Sequence, residues 1–352
     1  MLHAGPLIAE GTIDVALEPG ASAALDRAAA SADPAHGFMR SAWFAAEADA
    51  LTTLVARRGG LGAPIAALPL VRRSHAGLSL VEIAGPYWPY RCPPIATDAS
   101  EDELAELLAS PKAHEALGRA WRIGPALRDD SSLALISAAA RRAGWAMVER
   151  RSAICFKIDL ARLTGEGPWP SGKTLRKNRW LERRLGEAGA LEFRNVSGSE
   201  WNDGVIDCLA RIEAESWVAK STTGGDTKFL AADNRRTWER ALEDVEIAER
   251  LSASILYVGG IPAAFTFSLR TGKTMHFIAN SYSERFADRS PGRILLYREL
   301  QQAAADGVVT VGWGAGDPGY KREMGAERGP DIVDRLFVRG AVFAALARAV
   351  WR

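Results

Sequence analysis

Cysteine is scarce in this chain: Cys92, Cys155 and Cys208 are the only three in 352 residues. They are too few and too scattered for a disulfide framework or a zinc site. Long apolar runs are missing as well, because Arg, Asp and Glu interrupt every alanine-rich stretch before it reaches membrane-spanning length. The N-terminus lacks the basic-then-apolar order of a secretory signal. Net charge is almost absent, since 44 Lys and Arg against 43 Asp and Glu leave +1. So small a global field gives no reason to expect DNA or an anionic membrane as a partner. These absences predict a cytoplasmic globular protein with no metal site and no membrane span.

The length is generous for one core and comfortable for two. Composition shifts around 151–172 predict one domain over 1–152 and a second over 153–352. In the first, strands are expected at Thr12–Leu17, Leu51–Arg57, Pro64–Arg72, Leu78–Ala84, Ala120–Gly124 and Trp145–Arg150. Helices are expected at Ser22–Ala30, Glu101–Ala109 and Ser131–Gly144. In the second, the pattern predicts a strand at Ala153–Asp159, a basic helix over Lys173–Ala188 and a strand at Ala190–Val196. Helices over Glu200–Lys220 and Asp226–Asp244 follow, then a hairpin of Ile247–Val258 with Ile261–Leu269 across Gly259-Gly260. The chain closes with a strand at Arg335–Arg339 and a helix or strand at Ala341–Trp351. Each half runs helices, then strands, then helix and strand, an order expected of a duplicated α/β unit.

The richest stretch is Thr274–Gly325. It reads as strand (Thr274–Ala279), polar loop, helix (Pro291–Asp306), strand (Val308–Trp313) and the glycine loop Gly314-Ala315-Gly316-Asp317. A helix start at the end of a strand is an anion seat, because its first N–H groups are unpaired and carry the positive end of the dipole. Ser290 is placed to cap, Pro291 suits the first helical position, and Gly292 lets a ligand approach the backbone. Arg289 and Arg293 are placed to pair with phosphates.

Several segments resemble the CelD-type acetyltransferases of the GNAT superfamily, named after cellulose biosynthesis. They are Tyr282 through Tyr297, Leu175-Arg176-Lys177-Asn178-Arg179, Glu213 with Glu215-Ser216-Trp217, and Trp313-Gly314-Ala315-Gly316-Asp317 with Tyr320-Lys321. The chain is also similar to the FemABX group, which transfers aminoacyl groups from transfer RNA. The resemblance implies an α+β fold of two tandem GNAT-like lobes, each a mixed sheet flanked by helices, with acetyl-CoA or another acyl-CoA bound in the second. It departs from the usual acetyl-CoA signature, since Arg289-Ser290-Pro291-Gly292-Arg293 holds one glycine. Asn280-Ser281-Tyr282 also stands where Ala-Tyr-Asp is more usual.

Acyl transfer to an amine needs a polarised carbonyl, an acceptor that loses a proton and a leaving thiolate that gains one. His276 is either the base or a packed core histidine. Asp317 is either a carboxylate reaching into the cleft or a turn former. Tyr320 is placed to protonate the thiolate and Lys321 to hold an anionic group on the substrate, or both belong to a solvated helix face. Glu213 and Trp217, four apart on one expected helix, share a face: either Trp217 walls the acceptor pocket and Glu213 orients an amine, or they are a buried Trp with a neighbouring ion pair. Tyr282 is a further candidate for substrate binding. The basic helix suits the 3′-phosphate of CoA, an anionic acceptor or transfer RNA. The expected reaction is N-acylation of a small-molecule or glycan amine. The rivals are an aminoacyl-tRNA-dependent transferase and a non-catalytic module in exopolysaccharide synthesis.

Overall fold

The computed structural model describes residues 13–60, 62–75, 78–85, 91–167, 169–221, 226–316 and 319–351. The chain divides into two compact units, Met1–Ser152 with Val333–Arg352, and Ala153–Ile332. The strands are β1 (Ile13–Pro19), β2 (Leu51–Arg58), β3 (Pro64–His75), β4 (Leu78–Ile83), β5 (Ala120–Leu127) and β6 (Ala146–Asp159), then β7 (Leu191–Ser197), β8 (Leu251–Val258), β9 (Ile261–Thr271), β10 (Thr274–Tyr282), β11 (Thr310–Ala315) and β12 (Glu327–Val338). The boundaries fall inside β6 and β12, so residues 333–352, assigned by sequence to the second domain, cluster with the first.

In the first unit β1 to β4 form an antiparallel meander and β5 lies parallel to β4. The core is aromatic: Phe38, Trp43, Phe44, Trp121 and Trp145 are buried, and Trp121 stacks on Phe337 with ring centroids 4.4 Å apart. The helix Glu101–Ala109 begins at a complete capping box of Ser100 with Glu103, and it turns Leu104, Leu107 and Leu108 inward. That is the i, i+3, i+4 stripe of an amphipathic helix. Sequence patterning breaks β6 at its charged run and starts β12 only at Arg335. Both strands are longer because their polar side chains meet partners. Arg150 and Ser152 donate to Asp334 Oδ2 at 2.9 and 2.7 Å, and Arg335 donates to Glu149 at 3.0 Å. Asp334 also accepts from Arg122, which reaches Glu82 at 2.9 Å.

The second unit orders its strands β6-β11-β10-β9-β8-β7. Alternation along β9 sends Phe265 and Phe267 to one face, where Phe229 and Trp238 meet Phe267 edge-on at 5.1 and 4.9 Å. The other face carries the helix Pro291–Ala305, whose Leu296, Tyr297 and Leu300 pack with Met275, Phe277, Val311 and Trp313. Three expectations change here. The helix expected over Glu200–Lys220 is two, Asp203–Ala214 and Trp217–Ser221. Ser216 Oγ donates to the Glu213 carbonyl at 2.7 Å, a side-chain bond that competes with the helical ladder. The next helix covers only Ala232–Leu242. Val245–Arg250 is a helix started by the Asp244 side chain, so the hairpin begins at Leu251.

Inside the first unit His36 bridges two groups, with Nε2 2.6 Å from Asp130 Oδ2 and Nδ1 3.0 Å from Ser132 Oγ. Burial pushes the His36 pKa down, but the hydrogen bond and charge of Asp130 outweigh it and leave it raised. Burial pushes Asp130 up, and His36 more than reverses this. The histidine contribution to stability is therefore complete below its unfolded value, near 6.5, and is lost as pH rises through the higher folded value. The aspartate contribution is complete above its unfolded value, near 3.8, and is lost as pH falls through the lower folded one. Thermal melts between about pH 6 and about pH 9 should show Tm falling more steeply in the native chain than in His36→Gln. Parallel slopes would contradict this.

Candidate active site

β10 and β11 run parallel, but they pair only from Thr274 to His276 against Thr310 to Gly312. Beyond that point each strand bends away. β10 shifts register against β9 between Phe277 and Ala279, and β11 shifts against β6 between Gly312 and Ala315. A bulge kinks its strand and raises the local twist. Glycine is required where the strands last touch, because a Cβ on Gly312 would lie 2.7 Å from His276 Nδ1. The result is a slot at the carboxyl ends of two adjacent parallel strands.

Lys321, on the short helix Tyr320–Glu323, is buried beside that slot. Its Nζ donates to the carbonyls of Trp313, Ala315 and Gly316 at 2.6, 2.9 and 2.9 Å. An ammonium has three donors, and all three are spent on the diverging end of β11. The expectation that Lys321 holds a substrate anion is corrected: it clamps backbone.

A cavity of about 290 Å³ opens at this place. Asn280, Ser281 and Tyr282 wall it from β10, while Ser290, Gly292 and Arg293 line it from the helix start, with Trp217 and Tyr320 opposite. Ser290 adopts the left-handed conformation, φ 54° and ψ 46°, and its side chain makes no capping hydrogen bond, contrary to the sequence expectation. Pro291 has no N–H, and among the described residues the Gly292 and Arg293 N–H groups meet no protein acceptor. The helix thus presents two open donors and its positive dipole end to the cavity. A Cβ on Gly292 would sit 3.1 Å from the Tyr282 ring, so the backbone there is closely approached.

The remaining expected residues divide clearly. Arg293 is half-buried, 3.0 Å from Glu323 and 5.3 Å over the Tyr297 ring, and its Nε has no partner among the described residues. Arg289 does not line the cavity and donates to the Arg184 carbonyl at 3.3 Å. Tyr320 accepts from Asn280 Nδ2 at 3.4 Å, and burial holds its hydroxyl above the usual tyrosine range, so it stays a proton donor. His276 lies in the paired part of β10, away from the lining, with its pKa lowered to about 4 by burial. Glu213 is buried outside the cavity, and its carboxylate accepts from the N–H groups of Lys228, Phe229 and Leu230 at 2.7, 2.7 and 2.9 Å. It organises that loop, and the helix break after Ala214 separates it from Trp217, which is 53% exposed and lines the cavity. Asp317 lies outside the described residues.

Ser281 is the residue that sequence reasoning missed. It is 6% exposed, lines the cavity, and its Oγ has no partner among the described residues. Its one sequence signal is its place on β10 beyond the point of parting.

The lysine clamp is directly testable. Replacing Lys321 with Met removes the shared donor of three carbonyls, of which that of Trp313 is buried, and roughly 2–4 kcal/mol of stability should be lost. Chemical denaturation measures it, and a loss below about 0.5 kcal/mol would rule out the clamp.

Residues 172–322 match the family model described as "Acetyltransferase (GNAT) domain". No curated protein sequence matches the chain. Among solved structures it is similar to the C-terminal domain (DUF2156) of a putative lysylphosphatidylglycerol synthetase from Agrobacterium fabrum, with 16% identity, TM-score 0.58 and 93% of each chain covered. It is similar to FemX, with 12% identity, TM-score 0.57, and 88% of this chain and 94% of that one covered. It is also similar to L-PGS from Bacillus licheniformis, with 12% identity, TM-score 0.53, and 91% and 92% covered. The chain therefore has the tandem GNAT fold, and its second unit carries an acetyltransferase (GNAT) domain.

Proposed function

We propose that this protein is an N-acyltransferase that moves an acetyl or longer acyl group from acyl-CoA to an amine, with a sugar amine or polysaccharide precursor as acceptor. One observation carries the proposal: two adjacent parallel strands part beside an uncapped helix start whose Gly292 and Arg293 N–H groups are open. A diphosphate fits such a helix start because charge-assisted N–H bonds and the dipole both favour it. An extended pantetheine arm fits the slot as an added strand.

In the reaction the amine nitrogen attacks the thioester carbonyl carbon, a C–N bond forms, the C–S bond breaks, and the thiolate takes a proton. Tyr320 is kept protonated by burial and stands on the cavity wall, so it suits the last step. Ser281 Oγ and the open β10 edge supply donors to the acyl oxygen. Trp217 walls the acceptor side. Asp317 stands three residues before Tyr320 in the glycine loop, and it is proposed to take the amine proton.

A second reading rests on the helix Gly172–Gly186. There Lys173, Arg176, Lys177, Arg179 and Arg183 are exposed and form no ion pair among the described residues, and Trp180 among them is 49% exposed. Cations around an exposed indole suit a nucleic-acid strand, so an aminoacyl-tRNA donor is the alternative.

Calorimetric titration with acetyl-CoA and longer acyl-CoAs separates the two. Binding that weakens at least about tenfold in Gly292→Val supports the first reading. Absence of thioester binding with salt-sensitive transfer RNA binding would replace it by the second. Once turnover is measured, Tyr320→Phe should lower kcat by about 10²-fold with little change in KM. An unchanged kcat would remove Tyr320 from proton transfer.

A further inference from the structure

The helix Ala341–Val350 closes the first unit, and its sequence is wrong for a surface helix. From Ala341 to Ala347 it carries no polar side chain. Ala344 and Ala347 are buried against Val148, Leu336 and Val338, which accounts for one face. The opposite face is equally apolar yet open: Val342 is 80% exposed, Leu346 58% and Val350 71%, with Phe343 beside them at 44%. Positions 342, 346 and 350 follow the i, i+4 spacing, so they form one stripe along the helix. Surface helices carry polar residues on the face opposite their core contacts, and a helix that is apolar all round is covered by something.

Two features say what covers it. The stripe is edged by cations. Arg119 lies with its guanidinium 5.5 Å over the Phe343 ring, Arg348 stands on the same helix between Leu346 and Val350 in sequence, both are exposed, and neither has a carboxylate partner among the described residues. The patch is also small. It exposes on the order of a few hundred Å², about half of what each partner brings to a standard protein interface (~800 Å²). A second copy docked on it would bury too little and would bring like-charged arginines together. A lipid surface needs no shape match, takes apolar side chains into the acyl boundary, and offers anions to the arginines.

We infer that the helix Ala341–Val350 is an interfacial contact by which this protein docks reversibly on an anionic lipid bilayer, with Val342, Phe343, Leu346 and Val350 entering the headgroup boundary and Arg119 and Arg348 meeting lipid phosphates. The near-zero net charge of the whole chain does not oppose this, because screening limits the relevant field to about 10 Å of the patch. The inference is independent of the acyl-transfer reading.

Co-sedimentation of the full chain with vesicles tests it, using phosphatidylcholine alone and phosphatidylcholine with about one-third phosphatidylglycerol. The chain should pellet with the anionic vesicles, release partly at high salt, and stay in solution with the neutral ones. Leu346→Glu should cut binding at least about tenfold, and Arg348→Glu about fivefold. Both residues are exposed, so unchanged thermal melting of each variant shows that folding is intact. Absence of pelleting with anionic vesicles, or pelleting unaffected by Leu346→Glu, would overturn the proposal. A concentration-dependent dimer abolished by Leu346→Glu would also overturn it and assign the face to a second copy.

Discussion

An ammonium group holding three backbone carbonyls keeps this site open. β10 and β11 begin as ordinary parallel neighbours, and over most of their length the hydrogen-bond ladder favours zipping them shut. Two bulges start the separation. Lys321 sustains it by occupying the carbonyls of Trp313, Ala315 and Gly316. Those groups then need nothing from β10, and the edge of β10 beyond His276 is left unpaired with β11. A buried ammonium is costly unless it is fully hydrogen-bonded, and here all of its donors are used.

The helix start next to the slot follows the same economy. Ser290 sits in the left-handed region and Pro291 lacks an N–H, so the turn that launches the helix supplies no internal cap. The Gly292 and Arg293 donors are thereby left open to the cavity among the described residues. Tyr320, Asn280 and Ser281 add polar groups to an otherwise apolar wall of Phe265, Leu296 and Met324. A few polar groups on apolar walls are what a pocket uses to orient a small molecule.

Much of this was legible in the sequence. The strand, helix and strand order of 274–315 is readable from the sequence, because glycine and proline punctuate a chain strongly. The roles of single side chains were less legible, since they depend on distant partners. Lys321 looked like a free cation until its carbonyls were known. Glu213 looked like a substrate ligand, but three N–H groups fifteen to seventeen residues away claim it. His276 was placed on the right strand, one pairing short of the slot. Ser281 offers only its place along β10 as a signal, because its side chain looks like that of any strand serine. Sequence patterning breaks β6 at its charged run, since the partners of that run, the Asp334 carboxylate and the Arg335 guanidinium, lie nearly two hundred residues later.

Backbone hydrogen exchange with and without acetyl-CoA tests the central claim most directly. If the thioester lies between the parted strands with its phosphates on the helix start, exchange should slow at the β10 amides beyond His276 and at Gly292 and Arg293, and remain unchanged along β1 to β4. Protection confined to other segments, or none at saturating ligand, would contradict the account.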